Sequence, residues 1–315
     1  GTITRLSHSN ARDEYSLILD IARIRRRDSV GPDVVIRNET IKFKRVSGPG
    51  RRITIEGSEL EVFERSKGQK KVAEEDVSEQ TSGLALLRRL GKRYDADQVE
   101  EIAQLFLSLR LVDVNVREVR RPYRQGSVDF LAADGSNVAD FLLRLSKEHA
   151  EAFADIEADM RAVLPTFERF ELHEHGGGDR YVSILVKEKV YSEAIPLDRV
   201  SFGTIRAIVL FAMLHDPNPP RLTCIEEIDH GFHPQALDVL MTRLREAARK
   251  TQVIVATHSP ALVNRARSEE LILFNRSFET GATHVKRPDV DFVREARREY
   301  GYELGELWFS GLLDV

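Results

Sequence analysis

Two short apolar runs with polar ends constrain this chain more than any other feature. Leu222-Thr-Cys-Ile225 stops at the paired acids Glu226 and Glu227, and Gln252-Val-Ile-Val-Ala256 stops just before His258-Ser259-Pro260. Between them lie a turn, Asp229 to Pro234, and an amphipathic stretch, Gln235 to Arg249. A helical crossover of that length returns the chain so that the second strand lies parallel beside the first. Ligands gather at the carboxyl ends of parallel strands. The spacing therefore brings two carboxylates and an imidazole to one sheet edge. Paired acids in such a place can hold a divalent cation and activate a water, as nucleotide hydrolysis requires.

Upstream, Val200-Ser-Phe-Gly-Thr-Ile-Arg206 runs into the apolar stretch Ala207 to Leu214. A small Ser-x-Gly turn opening a helix presents free N–H groups and the positive end of a dipole, which favours a phosphate. An anion-binding helix start, a strand with paired acids and a strand ending in His thus follow in one order. In that order the chain resembles the ATPases of the ABC, SMC and RecF group, and within it the stand-alone AAA-21 family, related to the ATPase part of OLD nucleases. The resemblance is strong over 200–311 and loose elsewhere.

The resemblance implies a role for each matching residue. Ser201, Gly203 and Thr204 fall on the signature that reads the phosphate of a nucleotide held by another copy. Phe202 stands where Asp or Gly is more usual. Glu226 falls on the acid that supports magnesium, and Glu227 on the general base that polarises the attacking water. Asp229 falls in the D-loop with His230, and Ile228 replaces a frequent Pro. His258 falls on the switch histidine that contacts the γ-phosphate. Leu304-Gly-Glu-Leu-Trp-Phe-Ser-Gly311 resembles the end of such proteins, with Trp308 and Phe309 expected to pack on the domain.

The same resemblance predicts a Gly-x-x-x-x-Gly-Lys-Ser/Thr loop near the N-terminus, whose backbone cradles the phosphates. No such loop occurs in the chain. Lys67-Gly-Gln-Lys-Lys71 lacks the leading Gly and the hydroxyl, and His175-Gly-Gly-Gly-Asp179 lacks a Lys and reads as a hairpin turn. The span from Gly1 to Val315 is therefore expected to bind and hydrolyse ATP poorly by itself, the missing lobe having been removed or left out.

Composition narrows the class. At 315 residues, 42% hydrophobic and 31% charged, the chain is ample for a buried core and reads as a soluble protein. No apolar run approaches the roughly 20 residues that cross a bilayer. The single cysteine, Cys224, cannot form an internal disulfide, which fits a reducing cytoplasm. A net charge of −4 argues against bulk attraction to a polyanion. Two arginine clusters stand out nonetheless: Arg23, Arg25, Arg26 and Arg27, then Arg117, Arg120, Arg121 and Arg124. A solvated face is their commoner meaning, and contact with DNA phosphates the sharper one.

The expected fold is α/β, with the three-layer core of an ABC-type P-loop NTPase, an antiparallel β part and a helical insertion. Residues 1–80 read as the antiparallel part, with strands near 15–19, 34–36, 41–46, 52–55 and 60–63 and a mobile loop over 65–80. Residues 81–165 read as a helical subdomain, with periodicity over 84–90, 98–109 and 138–164 and a stop at Pro165. Residues 166–315 read as the α/β lobe, opening with strands over 167–172 and 181–186. No heptad run long enough for an SMC arm is present, nor an acidic nuclease module after 270.

The expected function is an ATPase that binds ATP and Mg2+ between two copies of the chain in a two-fold dimer. Bacterial DNA maintenance or phage defence with a separately encoded nuclease is the role the resemblance implies, with DNA as a further partner. Two alternatives stand beside it. One is a catalytically weak nucleotide-sensing scaffold or DNA-binding regulator, suggested by Phe202 and Ile228. The other is a zinc or manganese enzyme built on Glu226, Asp229, His230 and His233. His173 and His175 read as exposed hairpin residues, and no Gly-x-Ser-x-Gly elbow supports a serine hydrolase.

Overall fold

The computed structural model describes the backbone of residues 2–7, 11–26, 29–43, 51–56, 59–64 and 70–73, and residues 103–126, 129–176, 180–277 and 279–313. The chain forms two compact units, 1–108 and 109–315.

Among the described residues of the first unit, six strands form an antiparallel meander: β1 (Thr2–Ser7), β2 (Ala11–Arg26), β3 (Ser29–Phe43), β4 (Arg51–Glu56), β5 (Glu59–Glu64) and β6 (Lys70–Ala73). The two strands expected over 34–36 and 41–46 are one, because the ladder with β2 runs unbroken through Asn38 and Glu39. Pairing with a neighbour on each side outweighs the local turn preference of Asn. Lys70–Ala73, expected in a mobile loop, pairs with β5. Ile53 of β4, opposite Ile41 and Val62, is fully buried. The helix expected over 84–90 and the Lys67-Gly stretch lie outside the described residues.

The second unit is built on a parallel sheet in the order β13-β12-β7: β7 is Leu109–Val112, β12 Leu222–Glu226 and β13 Gln252–Ala256. The periodicity over 98–109 predicts a helix through Leu109. The chain is helical over 103–107 and then turns into β7, where the alternation Leu109-Arg-Leu-Val112 and parallel pairing with β12 decide the outcome. A short helix α1 (Val116–Val119) and strand β8 (Tyr123–Arg124) follow. The stretch 138–164 is two helices, α2 (Val138–Glu148) and α3 (Ala150–Val163), parted at His149, whose non-helical backbone ends one and starts the other.

Strands β9 (Phe167–His175) and β10 (Tyr181–Glu188) form the expected hairpin, and β8 and β11 (Ile195–Pro196) also pair with β10. Next comes α4 (Phe202–Leu214), apolar nearly all round and buried from Ile205 to Ala212, as a central helix must be. It packs against α1, α2, α3 and α5 (Ala236–Ala247) in one continuous core. The helices expected as a separate subdomain therefore share their interior with the α/β part.

After β13 come α6 (Pro260–Val263), the hairpin β14 (Leu273–Arg276) and β15 (Thr283–Lys286), then α7 (Val290–Tyr300) and α8 (Leu304–Phe309). Helix α8 sits directly on α6. A side chain at Gly305 would meet the Pro260 carbonyl at 2.2 Å, and its N–H donates to Asn264 Oδ1 at 2.6 Å. Trp308 packs into this small core as expected, but Phe309 does not: it is 81% exposed. Its place in a short helix already seated through Gly305 and Leu307 leaves it on the outer side. No helix among the described residues is long and apolar enough to cross a membrane.

Candidate nucleotide site

The carboxyl edge of the parallel sheet collects the residues singled out in the sequence. Glu226 is the last residue of β12, opposite Ala256 of β13, and is exposed. Glu227 follows with φ 45°, and among the described residues it is the non-glycine residue in the left-handed region. That conformation costs a residue with a Cβ roughly 1–3 kcal/mol and persists where its surroundings over-determine it. Here the Glu227 carbonyl accepts from the His230 N–H at 3.0 Å and from Arg206 Nη2 at 2.8 Å. Ile228, expected only as a departure from Pro, is fully buried and anchors the turn from below.

The Glu227 carboxylate is 63% exposed and faces His230 Nδ1 at 3.6 Å. Asp229 turns the other way. Its Oδ1 accepts from Thr257 Oγ1 at 2.5 Å, and that hydroxyl accepts from the Ser259 N–H at 3.0 Å. Ser259 in turn caps α6 by accepting from Leu262 N–H. His258, between Thr257 and Ser259, is held by its neighbours on both sides while its ring is exposed.

The start of α4 meets this edge. Ser201 is its N-cap: its hydroxyl accepts from Thr204 N–H at 3.1 Å and lies 2.8 Å from Thr204 Oγ1. Arg120 Nη2 donates to the Val200 carbonyl at 3.1 Å and steadies the approach. A Cβ at Gly203 would lie 2.2 Å from the Gly231 carbonyl, and Gly231 itself has φ 85°. The two glycines let the helix start and the turn after β12 touch backbone to backbone, and the Phe202 and His230 rings sit 5.1 Å apart. Gly203→Ala is expected to force this contact open at a cost of about 2 kcal/mol. Thermal unfolding measures it, and an unchanged midpoint would show that the contact is slack.

Arg206 lies beneath these groups, 5% exposed. Burial pushes its guanidinium down from the ordinary value, and Asp113 at the end of β7, with Glu227 and Asp229, oppose that shift. Sequence reading assigned Arg206, Thr257, Arg120 and Asp113 no part here. The one available signal was Arg206, a lone charge in an apolar helix. Of the second arginine cluster, Arg120 is used as described and Arg121 pairs with Glu118 at 3.0 Å. The side chains of the first cluster lie outside the described residues.

The donor set decides between metal classes. Among the described residues no group of three His, Cys, Asp or Glu side chains could hold a metal ion. His233 Nδ1 instead accepts from Gln235 N–H at 3.4 Å, and Asp229 is engaged by Thr257. The zinc or manganese arrangement is therefore not assembled. His173 and His175 are exposed hairpin residues, His175 beside Ser183 at 2.8 Å. Glu226, an exposed carboxylate at a strand end, does fit magnesium, which keeps several waters and takes one or two carboxylates.

A parallel α/β sheet whose carboxyl edge carries paired acids, a loop histidine and a glycine-opened helix start defines a nucleotide-binding class of domain. Residues 56–264 match the family described as "AAA domain, putative AbiEii toxin, Type IV TA system", and the chain belongs to that family. No curated protein matches it. Among solved structures the chain is similar to an SMC head bound to the C-terminal winged-helix domain of ScpA, at 11% identity over 84% of this chain and 77% of that one, with a TM-score of 0.43. It is also similar to the SMC head domain from Thermotoga maritima, at 12% identity over 84% and 78%, with a TM-score of 0.36.

Proposed function

We propose that the chain supplies the catalytic edge and signature helix of an ABC-like ATPase, active as a dimer with ATP between two copies. The observation that carries this reading is the left-handed Glu227, its backbone held by the His230 N–H and Arg206 and its carboxylate exposed directly after Glu226 at the strand end. Magnesium, when bound, would neutralise phosphate charge, with Glu226 holding it through water. Glu227 takes the proton of the attacking water on its carboxylate, with its backbone already fixed. His258 offers a ring N–H toward the γ-phosphate from a loop clamped at Thr257 and Ser259. Ser201, with the N–H group of Gly203, meets a phosphate held by the other copy.

Among the described residues one face of the parallel sheet is partly open. Leu109, Leu111, Leu222, Cys224 and Ile254 share one face by register; Leu109, Leu111 and Ile254 are 40–51% exposed, while Leu222 is buried. Parallel sheets are ordinarily covered on both faces. The phosphate-cradling loop that the resemblance predicts does not occur in the chain. Several charge-assisted hydrogen bonds, each contributing about 1.5–3 kcal/mol, go with that loop.

Residues 1–315 alone are therefore expected to show no binding of magnesium–ATP at micromolar concentration, and the full-length protein to bind and hydrolyse it. Calorimetry distinguishes the two: micromolar binding by the span alone would show that the site is elsewhere. A scaffold with slow turnover is the second reading, favoured by Phe202, which sits against His230 at the edge of the site. A cytoplasmic setting, contact with DNA, and a nuclease partner complete the proposal. Recovery from the native host with neither nuclease nor nucleic acid would count against that last part.

A further inference from the structure

Arg206 is the one strongly buried charge near the site to which the catalytic reading gives no task. It stands between Ile205 and Ala207, where a methionine or leucine would fill the same space without carrying a charge out of water. Its donors are not fully met: among the described residues Nε is buried without a partner. Its charge faces Asp113 from the end of β7 and Glu227 and Asp229 from the turn after β12. The Phe202 ring lies 5.8 Å from its Cζ. What arginine does here, and an apolar side chain could not, is reach 21 residues along the chain to the Glu227 carbonyl. That carbonyl belongs to the left-handed residue, and Arg206 belongs to the helix that Ser201 opens.

We infer that Arg206 is a positioning residue for Glu227. It fixes the backbone from which the carboxylate projects and ties that setting to the seat of the first turn of α4. A phosphate meeting Ser201 then bears on Glu227 of the same copy through one helical turn and one hydrogen bond. The inference rests on the ATPase reading above. Its effect falls on kcat, because a base displaced by about 1 Å can cost about 100-fold while ligand contacts stay as they were.

The test is steady-state ATP turnover of the full-length protein carrying Arg206→Met, Arg206→Lys or Glu227→Gln, with thermal melts as the check on folding. Arg206→Met is expected to fold and to lose about 100-fold in kcat, with KM within about threefold of the parent. Arg206→Lys, which still donates to a carbonyl, should recover part of that loss and remain below the parent. A folded Arg206→Met with parental kcat, or with its loss in KM alone, overturns the inference. If Arg206→Met does not fold, Arg206→Lys decides: lowered kcat at unchanged KM supports the role, and parental kcat refutes it. Parental turnover in Glu227→Gln instead removes Glu227 as the base, and the role of Arg206 with it, whereas no turnover by the parent protein removes the ATPase reading itself.

Discussion

Glu227→Gln in the full-length protein is expected to cut ATP turnover by about 10³-fold and leave ATP binding in place, since a general base contributes on the order of 10²–10⁴. The amide matches the carboxylate in shape, and the features that hold residue 227 act on its backbone: the His230 N–H, Arg206 Nη2 and the buried Ile228 beyond it. The substitution therefore removes proton acceptance without moving the chain. With the nucleotide unhydrolysed, a dimer joined through Ser201 and its neighbours should persist. Phosphate release and gel filtration in magnesium–ATP measure the two effects. Normal phosphate release by the variant would sink the role given to Glu227.

The second large effect lies at the far end of the same helix. Asp159 of α3 is 1% exposed and serves two elements. His215, the C-cap of α4, places Nε2 2.6 Å from Asp159 Oδ2, and Arg243 of α5 donates from Nε to Oδ1 at 2.7 Å. One carboxylate thus pins three helices. Asp159→Ala leaves His215 and Arg243 without their buried acceptor, and breaking such a group costs about 3 kcal/mol. For a unit of this size that lowers Tm by roughly 6–12 °C. Asp159→Asn keeps an acceptor and should fall between. A midpoint for Asp159→Ala within about 2 °C of the parent would show that the three helices hold by apolar packing alone.

The parts of this arrangement legible in the sequence were those with short-range signals. Glu226, Glu227 and His258 end apolar runs, and strand ends are where parallel sheets put their chemistry, so their convergence followed from spacing. Ser201 announced itself as a cap, and the alternation through 167–172 and 181–186 gave the β9–β10 hairpin. Hidden from the sequence were contacts closed by the fold. Leu109–Val112 became a strand because β12 was there to pair with it. His149 divided a helix that periodicity ran together. Arg206 and Thr257 gained their roles from residues 21 and 28 positions away. Phe309 read as buried because Trp308 beside it is, and only the seating of α8 on α6 separates the two.

The backbone contact between Gly203 and Gly231 has a consequence for how such a chain can drift. A methyl group added at Gly203 has nowhere to go unless the turn at residue 231 retreats. At Gly231, with φ 85°, every other residue is disfavoured before its size is considered. A lineage leaving glycine at either position must first rebuild the join between helix and turn, so neither position is open to gradual change. Phe202, beside this contact, carries no such restriction on its backbone, and novelty at this edge can enter there.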